Sequence, residues 1–134
     1  MALSGAGRAF LAEVRFATLA TINPDGSIQQ TVMWYELRGD HIMMNTARGR
    51  KKDLNLVRDP RVSICVEDGY RFVTVAGAAE LIDDRETNQA DIRALATRYH
   101  DAAHAEEMMQ SVFASQQRVS ILVPLTKVIE NGLE

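Results

Sequence analysis

Short segments rich in β-branched residues, separated by turn signals, make up most of the chain. Residues 16–22 are the first such segment, and Asn23-Pro24-Asp25-Gly26 follows. Proline presets φ and glycine tolerates positive φ, so this tetrapeptide predicts a hairpin turn. Further strands are predicted over residues 27–37, 41–46, 61–67, 71–82 and 118–124, with another extended segment at 125–129. Gly77, inside the longest of them, predicts a bulge or a close backbone approach.

Helical periodicity is confined to a few short stretches. Phe10, Leu11 and Val14 share one face of a short opening helix, and residues 85–99 repeat apolar positions at helical spacing behind the cap Asp83-Asp84. Residues 47–58 and 104–114 also contain helical stretches. Because the strands come as consecutive hairpins and do not alternate with helices, we expect a mainly β (α+β) fold. Its centre is an antiparallel barrel with a few short helices.

Composition limits the classes of function. The 134 residues predict a single domain over residues 1–134, and 15 basic against 18 acidic side chains give a net charge of −3. This balance argues against a general partner of nucleic acids or anionic membranes. The lone Cys65 excludes an internal disulfide framework and is expected to be a small buried apolar residue. No apolar run reaches the length of a membrane span and no secretory signal is evident, so we expect a cytoplasmic location.

A run of cations stands out against this acidic balance. Arg48, Arg50, Lys51 and Lys52 fall within five residues, and Gly49 lets the backbone approach a ligand closely. Cationic side chains beside a helix start suit a phosphate group. The same run is also compatible with a solvated basic turn, and no glycine-rich nucleotide motif accompanies it.

Other chemical features are weaker. The segment Val32-Met33-Trp34-Tyr35 fits either plain core packing or the lining of a flat pocket for a planar ring. His100 and His104 have a spacing that can bind a metal, but a helix break between them and the lack of a third ligand lead us to expect none. No nucleophile or acid–base set emerges, so the catalytic residues are unknown. If the protein is an enzyme, we expect a cofactor to carry the chemistry.

Several of these motifs, taken in order, resemble the pyridoxamine 5′-phosphate oxidase-like family. They are Phe16-Ala17-Thr18-Leu19-Ala20-Thr21, Pro24-Asp25-Gly26, Met33-Trp34, Thr46-Ala47-Arg48-Gly49-Arg50-Lys51-Lys52 with Asn55-Leu56, Asp59-Pro60-Arg61-Val62 and Arg98-Tyr99. The short chain and the Thr-x-x-Gly-Arg-x-Lys pattern are most similar to the branch that binds the deazaflavin coenzyme F420.

The resemblance implies a split β-barrel and a homodimer with cofactors in grooves between subunits. It assigns the cofactor phosphate to Thr46, Arg48, Arg50, Lys51 and Lys52. It also places the cofactor ring along Val32 and Met33. Members of this branch pass a hydride from the reduced deazaflavin to an organic substrate, here expected to be small and unsaturated.

Three alternatives stay open on the sequence. The chain is an F420-dependent reductase, an oxidoreductase of the same fold that binds flavin mononucleotide (FMN), or a non-catalytic carrier of either cofactor. A homodimer has separate support, because several side chains offer more apolar surface than the core of a small barrel needs. They are Trp34, Tyr35, Met108, Met109, Val112 and Phe113.

Overall fold

Nine strands and four α-helices form residues 3–133, the part of the chain that the computed structural model describes. The strands are β1 (Ala17–Ile22), β2 (Ile28–Met33), β3 (Glu36–Arg38), β4 (His41–Ala47), β5 (Arg61–Asp68), β6 (Arg71–Ala78), β7 (Glu80–Ile82), β8 (Arg118–Pro124) and β9 (Lys127–Asn131). The helices are α1 (Gly5–Ala12), α2 (Lys51–Arg58), α3 (Arg85–Tyr99) and α4 (Ala102–Ser111), followed by a 3₁₀ turn (Phe113–Ser115). None of these helices is long and apolar enough to cross a membrane.

Two antiparallel sheets enclose the main core. One has five strands in the order β2-β1-β5-β6-β9, and the other has four in the order β3-β4-β8-β7. Neighbours along the chain pair as hairpins, for example β1 with β2 and β5 with β6. This arrangement confirms the expected mainly β fold, an antiparallel split barrel with short helices.

Two predicted strands are each broken where the chain passes between the sheets. The segment at 27–37 stops at Met33 and resumes as β3 after Trp34-Tyr35, and the segment at 71–82 is interrupted at Ala79. β2 and β6 lie in the five-stranded sheet, whereas β3 and β7 lie in the four-stranded one. Local propensity continues through both breaks, so the prediction of unbroken strands is wrong. The bend is imposed by the closure of two sheets around one core.

The expected irregularity at Gly77 is also wrong. Gly77 sits opposite Val62 in an unbroken β5–β6 register, and a Cβ placed there would meet only ordinary contacts at 3.8 Å or more. The change of direction comes two residues later, at Ala79, whose N–H donates to the carbonyl of Pro60 at 2.8 Å.

The helices largely follow the sequence signals. α3 has the predicted bounds, and the side chain of Asp84 accepts a hydrogen bond from the N–H of Thr87 as its N-cap. The stretch predicted at 47–58 is helical only from Lys51, because Gly49 bends the chain before it. The stretch predicted at 104–114 begins earlier, at Ala102, where Asp101 caps the helix.

The core has two parts. The larger lies between the sheets and includes Leu19, Tyr35, Ile64 and Ile121. The smaller lies under α3 and α4, and its buried members are Met43, Ile92, Leu95 and Met109. Tyr35 and Met109 are thus buried within the subunit. They contribute no surplus apolar surface, which corrects this part of the sequence argument for a dimer.

Arg98 ties the end of α3 to the entrance of the barrel. Its guanidinium donates to the carbonyls of Tyr35 at 2.9 Å, Glu13 at 3.0 Å, Ala12 at 3.2 Å and Leu11 at 3.3 Å. Three of these carbonyls belong to the end of α1 and the residue after it, where a helix leaves its carbonyls without partners. The half-buried Arg98 therefore fixes the positions of α1, of the bend after β2 and of α3 relative to one another.

Replacing Arg98 by lysine tests this role. Lysine keeps the charge but lacks the planar fork, so it cannot serve four carbonyls at once. We expect Arg98→Lys to lower the free energy of unfolding by about 2 kcal/mol, the scale of charge-assisted hydrogen bonds. Urea denaturation measures it, with Arg93→Lys on the exposed face of α3 as the matched control. Equal effects of the two variants contradict the assignment.

Candidate functional site

The basic run lies in the turn between β4 and α2, and its backbone is held in a fixed shape. Gly49 adopts a φ of +91°, in the left-handed region that favours glycine. Its N–H donates to Oδ2 of Asp53 at 2.7 Å, which folds the turn back onto the first turn of α2. The N–H of Arg48 donates to the carbonyl of Gln117 at 2.7 Å and joins the turn to the residue before β8.

The cations of this turn divide into two groups. Arg48 is committed to protein partners, since its guanidinium lies 3.3 Å from Asp53 and 3.7 Å from Asp83. Arg50, Lys51 and Lys52 have no acidic side chain within 4.0 Å among residues 3–133. The turn therefore presents three cations without counter-charges, next to one that holds the turn in place.

Lys52 is unusual among these cations because it packs against protein. Only 8% of the residue is exposed. Burial, with the charges of Arg50 and Arg118 nearby, lowers the pKa of Lys52. A cation in such a position is destabilised until an anion approaches it.

Arg118, which the sequence patterns did not indicate as a site residue, lies near Arg50 and Lys52. It is 8% exposed and has no acidic side chain within 4.0 Å in the described chain. Burial and the neighbouring Arg50 lower the pKa of Arg118 to about 10, which leaves it charged at neutral pH. The available signal was a charged residue opening the otherwise apolar strand Arg118–Pro124.

A buried polar network fixes the Arg118 guanidinium. Its Nε donates to Oδ1 of Asn45 at 2.9 Å, and its Nη1 donates to Oε1 of Gln116 at 2.5 Å. Asn45 in turn donates to the carbonyl of Asn88 at 3.0 Å and to the hydroxyl of Ser120 at 3.1 Å. The guanidinium also lies over the ring of Phe113, 4.9 Å from its centroid. These partners orient Arg118 without neutralising it.

The predicted ring-binding residues line a small cavity that also contains Arg118. The cavity measures about 180 Å³ and is lined by Val32, Met33, Trp34, Asn45, Ile92, Leu95, Phe113 and Arg118. Met33 is buried, whereas Val32 is 66% exposed at the rim. An apolar wall of flat and soft side chains ending in a fixed cation suits a planar ligand with a negative group.

Thr46 lies between the cation cluster and the core. It is buried on β4 opposite Val119. Its hydroxyl has no hydrogen-bond partner among residues 3–133, so it is available to donate to a ligand.

A larger cavity lies elsewhere. It measures about 590 Å³ and is lined by Ala6, Ala9, Phe10, Glu13, Arg71, Gly132 and Leu133. Its one lining cation, Arg71, is paired with Asp68. No residue predicted to bind a cofactor borders it, whereas two of them, Val32 and Met33, line the smaller cavity together with Arg118.

The remaining predicted features lie outside this site. The rings of His100 and His104 stack with centroids 4.5 Å apart, and no group of three metal-ligating side chains occurs in the described chain. Cys65 is half-buried and faces outward from the five-stranded sheet, so the expectation that it is buried is wrong. Asp84 caps α3, and the exposed Asp83 pairs with Arg48.

Comparisons with known proteins agree with this architecture. A conserved hypothetical protein from Mycobacterium tuberculosis is 32% identical with a TM-score of 0.80, over 96% of this chain and 84% of the other. An F420 reductase is 26% identical with a TM-score of 0.72, over 91% and 94%. A heme storage protein from Vibrio cholerae shares the fold with a TM-score of 0.72 at 16% identity, over 99% and 97%.

The family model described as pyridoxamine 5′-phosphate oxidase matches residues 3–128, nearly the whole chain. This match confirms the resemblance that the ordered motifs predicted. The chain belongs to the pyridoxamine 5′-phosphate oxidase family.

Proposed function

We propose that the protein is an oxidoreductase that uses reduced coenzyme F420 to reduce a small unsaturated organic substrate. The observation that carries the proposal is the group of uncompensated cations next to an apolar cavity. Arg50 and Arg118 lie close enough to Lys52 to lower its pKa, and Arg118 lines the cavity. The likeness to an F420 reductase supports the choice of carrier.

The side chains present fit a phosphate-bearing, planar carrier. Arg50, Lys51 and Lys52 are charged donors without internal acidic partners, and the Thr46 hydroxyl adds a neutral donor. Arg48 contributes to the same site mainly by holding the turn through Asp53.

The ring of the carrier is assigned to the cavity wall formed by Val32 and Met33. When bound, the carrier supplies the hydride for the reduction. The protein binds and orients the reactants and excludes water from them, a role that needs no side-chain nucleophile. Apart from Arg118, no ionisable side chain lines the cavity in the described chain.

FMN is the second candidate for the carrier. It also has a phosphate and a planar ring, so the same residues suit it. The two carriers are told apart by the absorption spectrum and mass of the small molecule that copurifies with the protein. A yellow protein with a flavin spectrum assigns FMN, and turnover of a substrate panel separates an enzyme from a carrier protein.

We propose that a second copy of the chain completes the site. A 180 Å³ cavity is smaller than the usual 300–1,000 Å³ or so of a site for a drug-sized ligand, and its rim residue Val32 is exposed. Val32 also begins an uncharged row across the outer face of the five-stranded sheet. The strand register continues this row through Thr18, Cys65 and Thr74 to the exposed Ile129.

The cation cluster is tested by the double variant Arg50→Ala with Lys52→Ala. Each charge-assisted contact contributes about 1.5–3 kcal/mol, so we expect carrier affinity to fall by about 3 kcal/mol or more. Fluorescence titration with the deazaflavin measures it. A charge-matched control changes Arg8 and Arg93, which pair with Asp40 and Glu106 far from the turn. An unchanged dissociation constant removes the turn from the site, and no micromolar binding by the unmodified protein refutes the choice of carrier.

Lys52→Met separates stability from binding. Because the pKa of Lys52 is lowered by folding, its charge disfavours the folded state at neutral pH. We expect the variant to raise the free energy of unfolding of the ligand-free protein by about 1 kcal/mol while weakening carrier binding. The gain shrinks as pH rises toward 10.5 and Lys52 loses its proton in both states. Lys51→Met, at an exposed position, is the control for urea denaturation.

The dimer is tested within the uncharged row, at Thr74. We expect the protein to elute at twice its 14.9 kDa and Thr74→Arg to elute as a monomer, because a buried unpaired guanidinium is costly at an interface. Tyr70→Arg, in the exposed turn between β5 and β6, is the control. A monomer mass for the unmodified protein contradicts the proposal.

A further inference from the structure

Arg118 borders a second cavity, which is polar. This cavity measures about 260 Å³ and is lined by Asp83, Arg85, Asn88, Ser115, Gln117 and Arg118. Arg118 therefore lines two cavities, one with mostly apolar walls and one with hydrogen-bonding walls.

The charges of the polar cavity are not balanced from within. Arg85 has no acidic side chain within 4.0 Å in residues 3–133, and its guanidinium donates only to the carbonyl of Ala114, at 3.2 Å. The acidic lining residue, Asp83, is exposed at the rim and lies 3.7 Å from Arg48. The lining thus has two cationic residues without an acidic partner and one acid that already has a cationic partner.

The wall also offers neutral hydrogen-bonding groups. The side-chain amide of Gln117 has no partner in the described chain. Asn88 is fully used in holding the wall, since it donates to the carbonyls of Ile82 and Arg118 and accepts from the N–H of Ser120. Asn88 is therefore held in place, and the unused donors of the wall belong to Arg85, Gln117 and Arg118.

The position of Arg85 in its helix is electrostatically unfavourable. It is the first residue of α3, where the helix dipole disfavours a positive charge. It is exposed, it forms no ion pair in residues 3–133, and its hydrogen bond to the carbonyl of Ala114 does not require a charge.

We propose that the polar cavity is a second anion subsite, where Arg85 and Arg118 bind a carboxylate. The guanidinium N–H groups that Arg85 and Arg118 leave unused can donate to the oxygens of a carboxylate, and the enclosed position of Arg118 strengthens the pairing. The carboxylate comes either from an acidic extension of the carrier in the apolar cavity, which rests on the proposed function, or from a separate small acid.

Arg85→Gln tests the subsite without removing a buried residue. Glutamine keeps a shorter polar side chain without the charge, and we expect little change in thermal stability, because relief of the unfavourable helix position offsets the lost hydrogen bond to Ala114. Arg93→Gln, on the same helix and paired with Glu106, is the matched control. Both variants are titrated with the deazaflavin coenzyme, with the same coenzyme lacking its acidic tail, and with glutarate alone.

The pattern of losses identifies the source of the carboxylate. A loss of about tenfold in affinity for the tailed coenzyme, with none for the tailless form, supports the subsite and assigns it to the carrier. A loss confined to glutarate, followed by NMR at the amides of Ser115 and Gln117, supports the subsite and assigns a separate acid. No change in either arm relative to Arg93→Gln overturns the subsite. Failure of the unmodified protein to bind any carrier refutes the proposed function instead, and the glutarate arm still decides the subsite.

Discussion

An enclosed guanidinium without a carboxylate partner organises this molecule. Arg118 begins β8, and keeping it charged inside protein requires hydrogen-bond acceptors that are themselves held in place. Asn45 provides one from β4, and Asn88 and Asp91 on α3 secure Asn45 and Ser120. The same hydrogen bonds therefore attach α3 to the four-stranded sheet and orient the Arg118 guanidinium.

The same network separates two kinds of surface. One of the two cavities that Arg118 lines has flat and soft side chains from β2, the break after it and the 3₁₀ turn, namely Met33, Trp34 and Phe113. The other cavity has the polar groups that precede β8 and begin α3. A ligand with an apolar ring and negative ends fits such a boundary better than a purely apolar or purely charged one does. The acidic net charge of the chain does not oppose this, because no carboxylate of residues 3–133 lies within 4.0 Å of Arg50, Lys51, Lys52 or Arg118.

Much of the local structure was predictable because it depends on local chemistry. The turn at Asn23-Pro24-Asp25-Gly26, the cap Asp84 and the end of α2 before Pro60 follow from dihedral preferences and capping. The breaks at Trp34-Tyr35 and Ala79 were not predictable in this way. Their residues suit a strand, and only the closure of two sheets around one core bends the chain there.

The sequence by itself determined the family, the antiparallel architecture and the position of the basic turn, because each depends on short motifs of neighbouring residues that occur in a fixed order. Only the tertiary structure decided which cations are available. In the folded chain Arg48 forms ion pairs with Asp53 and Asp83. Arg50, Lys51 and Lys52 have no acidic partners in residues 3–133. Arg118, which is remote in sequence, lies close enough to Lys52 to lower its pKa. Charge pairing and burial depend on distances between residues remote in sequence, and those distances exist only once the chain has folded.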